Sequence, residues 1–147
     1  MDSFMNTKRS LSSTLLVFHG VILMGLGLYF IFIRPPLLPE DPRFMGTSLV
    51  EIQATVPGLL TWLRRVFWVM GGFMFTSGLL MSYVAMAALQ SRTRGAQSII
   101  VLASLASIGW MAMVNFMIDS DFKWLLLAFN LPWILALLLL RREKRFA

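Results

Sequence analysis

The chain has 147 residues, 58% of them apolar and only 14% charged, about half the charged share of an ordinary soluble domain. Its net charge is +6, but the basic residues stand at the ends of long apolar runs, and no polar region is large enough to form a nucleic-acid-binding surface. Cysteine is absent, which removes disulfides, thiolate metal sites and thiol nucleophiles.

The first uncharged run, Ser10 to Ile33, follows Lys8 and Arg9 and has 24 residues, too long for a secretory signal core. It predicts a retained transmembrane helix over 11–33, because about 20 residues at 1.5 Å each cross a hydrocarbon core of about 30 Å. Further spans are expected over 66–89, 97–118 and 124–140. The last has 17 uncharged residues and reaches about 26 Å, so Phe122, Trp124 and Arg141 must meet the interface. The fold class expected is therefore an all-α integral membrane protein, a single four-helix transmembrane bundle.

Orientation follows from Lys and Arg in the flanks. Eight lie on one side (Lys8, Arg9, Arg92, Arg94, Arg141, Arg142, Lys144, Arg145) and five on the other (Arg34, Arg43, Arg64, Arg65, Lys123). Both termini are expected in the cytoplasm.

Between the first two spans, residues 34–65 form an external cap of 32 residues. Pro35, Pro36, Pro39 and Pro42 predict extended, polyproline-like backbone over its first part. From Ser48 the pattern changes: Ser48-Leu49-Val50-Glu51 matches a capping box, and Leu49, Ile52, Val56 and Leu63 recur at helical spacing. One or two amphipathic turns on the outer surface are expected, with Pro57 restarting the helix and Arg64 and Arg65 at headgroup level.

Glycines and small residues mark one face of each early span: Gly20 and Gly27 in the first, Gly71, Gly78 and Ala85 in the second. Such a stripe serves either packing of adjacent spans or a face for a second copy.

Few residues offer chemistry. His19, the only histidine, is either a neutral residue bonded to Ser12, Ser13, a backbone carbonyl or a neighbouring helix, or a proton-relay or haem-binding residue. Asn115 and Asn130 are expected at similar depth, where they could bond to each other or line a small polar pocket. Pro132 should free a carbonyl near position 128, which Asn130 helps to satisfy. At the external mouth stand Arg34, Glu40, Asp41, Arg43, Asp119 and Asp121, where a contact from Arg34 to Asp119 or Asp121 would tie the cap over the bundle. These acids lack the spacing of a metal site.

No nucleotide-binding, zinc-hydrolase or nucleophile-elbow motif occurs, so no catalytic, cofactor-binding or metal residues are assigned. In size and layout the chain is similar to many small four-helix bacterial membrane proteins, including the loosely defined DoxX-like group, a likeness of shape that implies a bacterial plasma membrane. The function expected is a non-enzymatic interaction or accessory-subunit role, with itself or another membrane protein as partner beside the lipid bilayer. The other expectation is a binder or carrier of a lipid or small hydrophobic ligand in a cavity beneath the cap, near Asn115 and Asn130.

Overall fold

A computed structural model describes residues 11–87 and 95–145, and every described element is helical. Lys8, Arg9, Arg92 and Arg94, together with the expected end of the second span, lie outside the described residues. Helix α1 covers Leu11–Phe32, α2 Glu40–Met45, α3 Leu49–Thr55 and α4 Leu59–Met86. Helix α5, Ala96–Ser104, passes through a π-helical segment, Leu105–Gly109, into α6, Trp110–Met117; α7, Lys123–Ala128, and α8, Leu131–Arg145, follow. Among the described residues, four helical rods are long and apolar enough to cross a membrane: α1, α4, the α5–π–α6 rod and the α7–α8 rod.

Helices α1 and α4 run antiparallel with their backbones in contact. A Cβ placed on Gly27 would lie 2.6 Å from the Gly71 carbonyl oxygen, and one on Gly78 would lie 2.5 Å from the Gly20 carbonyl oxygen. The glycine stripe is thus consumed by packing within the chain. Ser82 continues the close contact and donates its hydroxyl to the Gly78 carbonyl at 2.9 Å. At one end of the bundle all four rods meet in a core of Leu16, Ala85, Ile100, Trp133 and Ala136.

Towards the other end the rods separate into two arms, α1 with α4 and α6 with α7, because the third rod meets α4 chiefly through α5. The second rod begins at Leu59, earlier than the expected Val66. Arg64 and Arg65 are exposed helix residues, and Arg65 lies over the Trp68 ring at 4.2 Å. Pro57 sits in the turn before α4, where the Leu59 amide bonds the Val56 carbonyl at 3.0 Å, so it restarts no helix itself.

The proline-rich stretch is helical at its end, contrary to the extended backbone expected. Pro42 is the third residue of α2, a first-turn position whose missing N–H deletes no intrahelical bond. Gly46, at φ +70°, then ends α2, with the Thr47 amide reaching back to the Pro42 carbonyl at 3.1 Å. Half of the expected capping box forms: the Glu51 amide donates to the Ser48 hydroxyl at 3.2 Å. The Glu51 carboxylate instead accepts from Thr47 at 2.7 Å.

Candidate functional site

The diverging arms enclose an apolar groove of about 700 Å³. Its walls come from all four rods. Leu23, Tyr29 and Phe30 contribute from α1, Phe67 and Met74 from α4, Trp110 and Met111 from the third rod, and Leu126 from α7. Its closed end is set by Met81 and Ser104, both buried, with the Ser104 hydroxyl 3.9 Å from the Met81 sulfur. The π turn stands just above this point and presents Ala106 and Ser107 to the groove. A π turn shifts the helical register by one residue, and such bulges collect at functional sites.

Residues 33–48 form a strap across the open end. Leu38 lines the groove and Arg34 stands at its mouth. The Arg34 guanidinium lies 3.7 Å above the Phe67 ring, 3.7 Å from the Asp41 carboxylate, and donates to the Pro35 carbonyl at 2.9 Å. Burial lowers its pKa from the usual value, an effect that Asp41 opposes.

Arg34 does not make the expected contact with Asp119 or Asp121; the tie is made by Glu40 and Arg43. These two are three residues apart on α2 and therefore share a face. Glu40, 1% exposed, accepts from the Ser120 hydroxyl at 2.8 Å, and its second oxygen has no partner among the described residues. Arg43 donates to the Asp119 carbonyl at 3.0 Å and to the Asp121 carboxylate at 3.2 Å. The strap thus leaves the α1 arm and is fastened to the turn between α6 and α7.

That turn is itself well specified. Asp119 takes φ +52°, a left-handed conformation that Asp tolerates better than most side chains, and the Ser120 amide bonds the Asn115 carbonyl at 2.9 Å. The Asp119 carboxylate accepts from the Lys123 ammonium, which holds its pKa below the usual carboxylate value. This contribution is present above the ordinary carboxyl pKa and fades as acid titrates the folded form.

Asn115 and Asn130 do not bond to each other. Asn115 donates to Met111, one turn back in its own helix, at 2.9 Å, and its residue lines the groove. Asn130 is outside the groove lining, at the break between α7 and α8. It donates to the Leu126 carbonyl at 2.8 Å and accepts from the Trp133 indole at 2.9 Å. The Asn130 amide bonds Leu127 instead, at 3.0 Å, so its side chain supplies the donor that Leu126 lacks.

His19 serves the same break. It is fully buried, its Nδ1 lies 3.3 Å from the Phe129 carbonyl oxygen, and its ring centroid is 6.4 Å from that of Trp133. A carbonyl only accepts, so Nδ1 carries the proton, and Nε2 is buried without a partner among the described residues. His19 does not line the groove. Replacing Asn130 with Leu would strand the Leu126 carbonyl and the Trp133 indole N–H. We expect a stability loss of about 1–2 kcal/mol, read as a lowered thermal midpoint in detergent.

Sequence reasoning missed the groove's acceptor residues, Ser77 and Ser107. Each is one of several small polar residues on its rod, with Thr76 and Ser82 near Ser77 and Ser98 and Ser104 near Ser107, so residue spacing does not single out the two that line one groove. No protein family, curated protein or solved structure matches this chain.

Proposed function

We propose that the chain is a four-span protein of a bacterial plasma membrane, with both termini cytoplasmic, that binds a lipid or small hydrophobic molecule in the groove beneath the strap. The groove carries this reading. Its volume of about 700 Å³ falls within the range of about 300–1,000 Å³ typical of ligand sites, and its lining is mainly apolar. The surrounding surface supports placement in lipid, since Phe18, Val21, Phe73, Leu79, Leu102 and Leu138 are all exposed. The sequence count of Lys and Arg in the flanks, eight on the side read as cytoplasmic against five on the other, supports the orientation.

An accessory-subunit role would place a partner's helix in the same opening, and the experiment that follows separates the two readings, since a partner appears as a second protein chain and a ligand as a small added mass.

The test is native mass spectrometry of the protein extracted in mild detergent, compared with Ala106→Trp. Ala106 lines the groove beside its closed end, so an indole there fills the space a ligand would use. The native chain is expected to carry a bound apolar molecule, and Ala106→Trp to lose at least about tenfold in occupancy while keeping its helix content. Equal occupancy in the two proteins, or an empty native chain, would overturn the proposal.

A further inference from the structure

Polar groups in the groove are few, and their placement deepens the ligand-binding reading of the groove, on which the choice of ligand class rests. Ser77 lies four residues from Met81 towards the open end, and Ser107 three residues from Ser104 in the same direction. Because Met81 and Ser104 touch at the closed end, both hydroxyls stand about 5 Å above it on facing rods. Each donates its hydrogen to its own backbone, Ser77 to the Phe73 carbonyl at 2.8 Å and Ser107 to the Ala103 carbonyl at 2.6 Å. Their oxygens remain as acceptors at the bottom of the slot, while its other polar lining residues, Tyr29, Arg34 and Asn115, stand towards the mouth.

Charge is confined to the other end. Among the described residues, Arg34 is the only charged one in the groove lining, and it is already engaged by Asp41 and the Pro35 and Pro36 carbonyls. A carboxylate or phosphate pushed to the closed end would be desolvated among acceptors with no cation to meet it. A neutral hydroxyl would instead find two oxygens to receive its hydrogen.

The depth fits a chain of modest length. From Ser107 to Ile118 the wall rises about 16 Å, half of a hydrocarbon core of about 30 Å.

We infer that the groove takes a neutral long-chain alcohol, inserted hydroxyl first, whose O–H donates to Ser77 or Ser107 while its tail runs towards Arg34 and the strap. The entering group is recognised at the bottom of the slot, and the tail lies along the apolar walls between there and Arg34.

The experiment titrates the native protein in detergent with dodecanol, dodecyl methyl ether and dodecanoate by native mass spectrometry. Dodecanol is expected to bind at least about fivefold more tightly than the ether, which cannot donate, and than dodecanoate. The double variant Ser77→Ala, Ser107→Ala should bind alcohol and ether within about twofold of each other. Orientation is read from Trp110, which lines the groove one turn from Ser107. Bromine beside the hydroxyl should quench it more than bromine at the far end of the chain, and Trp110→Phe should abolish the difference.

Equal affinity for alcohol and ether in the native chain, or tighter binding of dodecanoate, overturns the hydroxyl-first assignment while leaving the groove a ligand site. Failure of all three probes to bind overturns the ligand-site reading itself. The native-chain comparison decides the matter even if the double variant does not fold.

Discussion

Gly78→Leu should unfold the bundle or lower its stability by at least about 3 kcal/mol. A Cβ at Gly78 already falls 2.5 Å from the Gly20 carbonyl oxygen and 2.7 Å from the Met24 amide nitrogen, both backbone atoms that no rotamer change can move. The two rods must separate, and separation forfeits the dispersion contact along their length, which in lipid is the main force holding them. Gly27 and Gly71 face each other under the same constraint. Gly25 and Gly72 supply the control, since nothing lies within 4 Å of a Cβ at either position. Gly25→Ala and Gly72→Ala should be neutral, or stabilising by up to about 1 kcal/mol through helix propensity. Thermal unfolding in dodecylmaltoside separates the two classes; equal effects at Gly72 and Gly78 would show that the α1–α4 contact is not the constraint.

Glu40→Ala should release the strap. The change removes the acceptor for the Ser120 hydroxyl and leaves a void where a nearly fully buried side chain stood. A loss of about 2–3 kcal/mol is expected for a buried hydrogen bond with a charged-type acceptor plus the cavity. Arg43→Ala should cost less than about 1 kcal/mol, because its pairing with Asp121 is exposed. Hydrogen exchange over α2 and the 118–122 turn reads both. Glu40→Ala should accelerate exchange in both segments together, and Arg43→Ala only slightly. Unchanged protection in Glu40→Ala would mean that Leu38 and the Arg34–Phe67 contact hold the strap without Glu40.

The four rods were legible in the sequence because long uncharged runs have few other physical outcomes. Their irregularities were less so. Arg64 and Arg65 suggested a boundary at Val66, yet arginine is a good helix former, and a helix can carry exposed charges beyond an apolar run. The Arg43 tie was concealed by proline counting, which obscured α2 and so the face that Glu40 and Arg43 share. Asn115 and Asn130 looked like partners by depth, but an amide on a helix has a carbonyl one turn back within reach, and each used it. The π turn left no trace in residue spacing, and neither did the facing of Ser77 and Ser107. The break at Asn130 was partly readable from Pro132, whereas the role of His19 there required knowing which carbonyl came near.

The close approach of the π turn to the α7–α8 break also sets the two arms apart by the continuity of their helices. A Cβ on Gly109 would lie 3.6 Å from the Asn130 side-chain oxygen, so two interruptions in helical hydrogen bonding sit side by side at one level of the bundle. The α1–α4 pair is continuously helical through that level, and its backbones touch without intervening side chains. Opening of the molecule is therefore expected to fall on the α6–α7 arm, hinged at the level of Gly109 and Asn130, with the strap as its tether.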